Sequence, residues 1–233
     1  MGGKAQVYMN LGDWTNAVSN AANVPNDFVY ESVHSRNSSR EENMLMWWYH
    51  DRAETTIWGT PFLQWAREIN SDDGDPRILY EDTGELGLDG TRPHYRQKKY
   101  PDYGTNIPII KGTEMRLIEG ESMLLNNDID GLVGKINTVR NFHGLDDIEE
   151  VPANINDAWF LLMKERGIEL WLGGRRIGDL RRWQETPGEV PFDVIREDHE
   201  TPLNVINSED PGMFLMVGQH EHDSNVNLIG GGN

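Results

Sequence analysis

Thr113-Glu114-Met115-Arg116-Leu117-Ile118-Glu119-Gly120-Glu121-Ser122-Met123-Leu124-Leu125, followed after Asn126 to Gly131 by Leu132-Val133-Gly134-Lys135-Ile136-Asn137-Thr138-Val139-Arg140-Asn141-Phe142, decides the fold. In the first run Met115, Ile118, Ser122 and Leu125 mark one side of a helix that Thr113 can cap. In the second, Leu132, Ile136, Val139 and Phe142 step by four, three and three, which predicts an amphipathic helix over 130–142 ending at His143-Gly144. A connection as short as Asn126 to Gly131 makes consecutive helices antiparallel neighbours. The result is a helical hairpin, the unit of helical-repeat proteins.

Working outward, a third helix is predicted from the capping pair Asn156-Asp157 through Leu161, Glu165, Ile168 and Leu172, stopped by Gly173-Gly174. Arg175 to Trp183 adds a turn or two before Pro187-Gly188. Upstream, Val7, Leu11, Trp14 and Val18 recur on one helical face, broken at Gly12-Asp13, so residues 4–22 read as helix, turn, helix. Two such short helices need a partner, either in later residues or in sequence that precedes them. Between 24 and 112 helical periodicity is lost, Gly and Pro punctuate the chain, and no strong strand series is visible. The expected organisation is a helix pair over 1–24, an irregular loop-rich excursion over 25–112, a helical hairpin and third helix over 113–185, and an acidic loop-rich tail over 186–233. The fold class is mainly α, with tetratricopeptide-like hairpins carrying a long excursion.

Composition bounds the chemistry. The 233 residues carry 39 acidic against 21 basic side chains, a formal charge of −18, and no cysteine. Disulfides, thiolate metal sites and cysteine nucleophiles are excluded within these residues. The acidic surplus repels a phosphate backbone, so a nucleic-acid partner is disfavoured and neutral or cationic partners fit better. The longest apolar run, Ala158 to Met163, is far short of a membrane span of roughly 20 residues. Eight Trp and the combined 24 Gly and 11 Pro point to aromatic-rich loops around a packed frame.

Two clusters carry candidate function. Trp47-Trp48-Tyr49, Trp58, Phe62 and Trp65 lie in the excursion, and indole faces stack on the C–H faces of sugar rings while offering a polar handle. The other meaning is core, because Trp58, Phe62 and Trp65 step as one buried helical face would. The second cluster is Glu165-Arg166-Gly167-Ile168-Glu169-Leu170-Trp171 with Gly174-Arg175 and Asp179-Leu180-Arg181-Arg182-Trp183, where five of fifteen arginines fall within 17 residues. Such a cluster can clamp an anion through bidentate forks. The preferred reading is internal: Glu165, Glu169 and Asp179 sit at helical spacings from these arginines and can pair with them without a ligand.

Metal and cofactor motifs are weak, and no cofactor or metal is expected. Asn126 to Gly131 has calcium-loop spacing, but Asn137 stands at the twelfth position instead of a bidentate glutamate. Asp72-Asp73-Gly74-Asp75 reads as a solvated turn, and His220-Glu221-His222 lacks a partner motif. No phosphate loop, nucleophile elbow or zinc-protease motif occurs, so the chain is not expected to be an enzyme.

The second cluster resembles the C-terminal signature of the SusD/RagB family of outer-membrane glycan-binding lipoproteins, with Glu165, Arg166, Glu169, Arg175, Asp179, Arg181 and Arg182 as its marks. Tyr8 to Trp14, Asp75-Pro76-Arg77, Lys99-Tyr100, Ile107-Pro108-Ile109 leading to Arg116 to Glu121, and Ile136 to Arg140 follow in family order. The resemblance implies that this chain corresponds to the C-terminal portion of such proteins. It implies upstream helical repeats that would partner the first helix pair, and a lipid anchor in that preceding part. It further implies surface placement on the outer membrane, binding of oligosaccharide from a starch-like polysaccharide, and delivery to a TonB-dependent transporter for nutrient uptake. The sugar-contacting residues read from this sequence are Trp47, Trp48, Tyr49, Trp58 and Trp65. The alternatives are a helical-repeat scaffold that binds protein and, less favoured, a glycan-cleaving enzyme.

Overall fold

The structure, a computed structural model, describes residues 1–69, 74–183, 193–194 and 203–204. The helical expectation holds: eight helices are present among the described residues, with strands only in two-stranded pairs. The helices α1 (Gly2–Asn10) and α2 (Trp14–Ala21) form the first hairpin, and Asp13 caps α2 by accepting from Asn16 N at 3.1 Å. The short α3 (Met44–Met46) and α4 (Pro61–Glu68) lie in the excursion. The frame continues with α5 (Gly112–Leu125), α6 (Ile129–Phe142), α7 (Ile155–Glu169) and α8 (Arg176–Trp183).

α5 is the axis of the frame because both of its faces are apolar. Leu117 and Leu124 pack with Leu132, Ile136 and Val139 of α6, with Trp159, Leu162 and Met163 of α7, and with Leu180 and Trp183 of α8. Met115 and Ile118, on the opposite face, bury against Ala5, Met9, Ala17 and Ala21. The first hairpin therefore finds its partner in α5, within this chain. The expected inward stripe is wrong in detail: Val7 is 57 % and Leu11 73 % exposed. Small residues face α5 instead, because alanine lets two helices close tightly on a third.

Local rules correct other boundaries. Thr113 does not cap α5; it is buried, and its hydroxyl donates to Glu169 Oε1 at 2.5 Å. The helix instead follows directly from β4 (Ile107–Lys111), and its first residue is glycine because a Cβ there would collide with the carbonyls of Pro25 and Asn26. Asp128, in the calcium-like stretch, caps α6 by accepting from Gly131 N at 2.8 Å. α7 starts two residues earlier than predicted, capped by Asn154 accepting from Asp157 N at 3.0 Å. Phe142, predicted inward, is 48 % exposed at the end of α6.

The excursion contains the strands that its sequence did not reveal. β1 (Val29–Ser32) runs antiparallel to β4, from Val29 opposite Lys111 to Ser32 opposite Ile107, and β2 (Tyr80–Leu86) pairs with β3 (Pro93–Gln97). A third minimal pair joins β5 (Asp193–Val194) to β6 (Leu203–Asn204). The excursion is seated on the frame by a further apolar cluster, in which Ile57, Leu63, Ala66 and Ile78 surround Ile168 and Trp171 at the end of α7.

Candidate functional site

The C-terminal half of α7 is buried nearly all round, including its charges. Glu165 accepts from Arg77 Nη1 at 2.7 Å and from Arg140 Nη1 at 2.8 Å, while Arg77 also pairs with Asp75. Arg166 donates Nε to Asp179 Oδ2 at 2.9 Å and faces Glu114 at 3.5 Å. Arg182 forks onto both oxygens of Glu121 at 2.8 Å, reaches Asp179 Oδ1 at 3.0 Å, and leaves Glu121 also accepting from Trp183 Nε1. Arg175 contacts Glu114 at 3.4 Å and the carbonyl of Ile109. Arg181 is half-buried on the rim of a groove shared with Trp14 and Leu125. These charges tie α7 and α8 to α5, α6 and the middle and end of the excursion.

Glu169 shows how tightly the network is drawn. Burial alone would raise its carboxyl, but the close approach of His143 Nε2 at 2.8 Å and the charge of Lys111 outweigh it and hold the group at about 2. Lys99 sits nearby, donating Nζ to the carbonyl of Trp171 at 2.6 Å. Its burial, aided by repulsion from Lys111, brings the ammonium down to about 8.

The aromatic residues are arranged differently. Trp47, Trp48 and Tyr49 occupy a single π-helical turn, Trp47–Asp51, that continues α3. Two histidines pin it to β3: His50 Nε2 contacts Gln97 O at 2.8 Å and His94 Nε2 contacts Tyr49 O at 2.9 Å. Burial lowers the His50 imidazole, opposed by its bond to that carbonyl. Ala53, just past the turn, has φ +47°, a left-handed conformation that costs a residue with a Cβ free energy. π-helical turns recur at functional positions.

Trp47 and Trp48 meet edge to face with centroids 4.9 Å apart, the Arg52 guanidinium lies 5.0 Å over Trp47, and Trp48 remains 40 % exposed. Tyr49, Trp58 and Trp65 gather in the other cluster with Phe62, Tyr80 and Tyr95 around Trp171. There Phe62 meets Trp65 edge to face at 5.3 Å and Trp171 at 6.4 Å. Trp58 precedes α4 and is not part of one helical face with Phe62 and Trp65; α4 buries Pro61, Leu63 and Ala66. Trp47, Trp58 and Trp65 are each half-buried. Thus the five proposed sugar-contacting residues form one pair and one trio.

Sequence reasoning did not single out Trp171 and Arg176, which line a cavity together with Tyr49 and Phe62. The signal was present in Trp171 standing two residues before a Gly-Gly stop. Of the metal-like patterns, Asp75 is buried against Arg77, residues 72 and 73 lie outside the described residues, and so does His220-Glu221-His222. Among the described residues no group of three or more His, Asp or Glu is placed to hold a metal ion. No described helix is long and apolar enough to cross a membrane.

A helical frame braced by buried ion pairs, carrying an aromatic-rich irregular surface, defines the class of protein. The family model of the SusD family matches residues 63–224. The chain belongs to the SusD family. Its fold is similar to that of a SusD-like protein from Bacteroides fragilis NCTC 9343, at TM-score 0.54 and 19 % identity, over 78 % of this chain and 53 % of that one. It is likewise similar to a SusD-like carbohydrate binding protein from Bacteroides vulgatus ATCC 8482, at TM-score 0.53 and 17 % identity, over 78 % of this chain and 44 % of that one. The chain therefore spans about half the length of these relatives. A search of curated proteins found no match.

Proposed function

We propose that this chain captures a neutral oligosaccharide, such as a fragment of a starch-like polysaccharide, through Trp47, Trp48, Tyr49, Trp58 and Trp65. It does so on the outer-membrane surface, without cleaving the glycan, and passes it to a TonB-dependent transporter. The observation that carries the reading is that none of the four tryptophans of the excursion is fully buried, although Trp58 and Trp65 pack against a core cluster, and Trp48 stands 40 % open. An indole that is held rigidly and half-exposed offers stacking area at little entropic cost.

Neutrality of the ligand follows from the local charges. Arg52 is paired with Glu54 and Arg96 with Glu81, so these cations beside the aromatic surface are already matched. A formal charge of −18 further opposes a polyanionic glycan. Membership in the SusD family and the description of the B. vulgatus relative as carbohydrate binding support the same conclusion.

The test is affinity electrophoresis through gels containing soluble polysaccharides, on the wild type and on Trp48→Ala, Trp58→Ala and Trp65→Ala. At least one variant is expected to lose retardation while keeping its helical circular dichroism. Unchanged retardation in all three would remove the aromatic surface as the site. Product analysis after incubation should show the polysaccharide intact, and the transporter step is checked by co-purification from outer membranes.

A further inference from the structure

A cavity of about 360 Å³ lies at the end of α7. Ile57, Leu170 and Trp171 are its buried floor, and Gly174 and Ile177 its exposed rim. That volume is at the lower end of small-molecule sites. Three charged groups line it: Arg166, Arg176 and Asp179. Asp179 has both oxygens committed, Oδ2 to Arg166 and Oδ1 to Arg182. Arg166 is fully buried, and its Nη1 has no hydrogen-bond partner among the described residues.

Arg176 is the anomaly. Its guanidinium donates Nη1 to the carbonyl of Met163 at 3.1 Å and lies 5.9 Å from the ring of Trp183. Whereas Arg175 and Arg182 on either side each reach a carboxylate, Arg176 makes no ion pair among the described residues. Burial pulls it below its ordinary range, with only the more distant charge of Asp179 acting against that. The cavity thus holds a surplus positive charge within mostly apolar walls, a combination that is costly when left unmatched. The neighbouring hydroxyls are not free to receive a sugar, since Thr56 donates to Pro93 O at 2.9 Å and Thr60 to Ile57 O at 2.6 Å. Gly167 keeps the space open: a Cβ there would stand 3.1 Å from Arg176 Nη1 and 3.7 Å from Phe62.

We propose that this cavity is a binding site for a small monocarboxylate with an aromatic or aliphatic body, its carboxylate held by the fork of Arg176 and its body packed between Phe62, Ile57 and Trp171. A guanidinium matches a carboxylate through two parallel hydrogen bonds, and apolar walls strengthen that pair by excluding water. An inorganic anion would satisfy the charge but leave the walls unfilled. The site adjoins the proposed glycan surface and shares Tyr49 with it, but its charged anchor Arg176 lies outside that surface.

The probe is benzoate, titrated calorimetrically into the whole chain, with methyl benzoate as its uncharged isostere and inorganic phosphate as the bare anion. Benzoate is expected to bind at least about tenfold more tightly than either. Arg176→Met should weaken benzoate about tenfold or more and leave methyl benzoate unchanged. Ile177→Trp, at the exposed rim, should fill the cavity and abolish benzoate binding; it decides the matter if Arg176→Met does not fold. Absence of benzoate binding by the wild type at about 10 mM overturns the proposal. So does equal binding of the ester or of phosphate, or benzoate affinity unchanged in Ile177→Trp or in a folded Arg176→Met.

Discussion

The end of α7 and the aromatic segment 47–65 touch through Ile168, Trp171 and Phe62, yet they treat their side chains in opposite ways. Along α7 the polar groups are buried and matched: Glu165, Arg166 and Glu169 each have two or more charged or hydrogen-bonding partners. In segment 47–65 the large aromatic groups stop half-way out of solvent, although their area would stabilise a core if they were fully buried. Closed polar groups give the frame a single geometry, and incompletely buried rings leave contact area for something else. With the glycan surface proposed above, the difference teaches that stability and recognition fall on adjoining but separate residues.

The largest effect should come from the frame. Arg166→Met removes the fully buried cation between Asp179 and Glu114 and leaves them only Arg182 and Arg175, and breaking a buried pair costs about 3–5 kcal/mol. Urea denaturation measures it; a loss below about 1 kcal/mol would show that the charges are dispensable to the fold. Next is acid sensitivity. Glu169 is held at about 2 against an ordinary 4.5, so its ionised form is favoured by folding. Its contribution, on the order of 2–3 kcal/mol, is complete above about pH 4.5 and is lost as pH falls toward 2. Glu169→Gln should be less stable at pH 7 and show a flatter acid limb; parallel limbs in both proteins would contradict the assignment.

On the other side of the comparison, Trp48→Ala should cost less than about 1 kcal/mol of stability, because the residue is 40 % exposed and packs in none of the three apolar clusters. A cost of 3 kcal/mol or more, as for a core tryptophan, would place Trp48 in the frame. The smallest effect is expected from Gly167→Ala. A mid-helix glycine costs up to about 1 kcal/mol relative to alanine, and the new Cβ is tight only against the flexible end of Arg176, with Trp65 and Phe62 at ordinary van der Waals distance. A small rise in melting temperature is expected, and a fall would mean that Arg176 cannot give way.

The frame was largely legible in the sequence, because α5, α6 and α7 follow 3.6-residue patterns with glycine or asparagine at their ends. The face of α1 was misread because Val7 and Leu11 are the conspicuous apolar residues, whereas close packing on α5 selects Ala5, Ala17 and Ala21. Neither strand pair could be read locally. Ser32 meets Ile107 across the whole excursion, and β1 has no alternation of burial to betray it. The aromatic cluster was visible as composition, but its division into a pair and a trio depends on a π-helical turn and on Trp171 from a distant helix. The cavity was invisible, since it arises where α4, α7 and α8 leave space between them.

The pairing of β1 with β4 has a consequence for how such a molecule diversifies. Residues 33–106 depart and return through strands that lie hydrogen-bonded side by side, and β4 runs straight into α5. The two ends of this insert are thus held side by side in the folded chain. The entropy of closing a flexible loop grows only logarithmically with its length, so lengthening or shortening the insert perturbs the helices little. The exposed turns of the insert are the parts open to exchange, whereas Arg77, Ile57, Leu63 and Ile78 must stay, because they lock it onto α7.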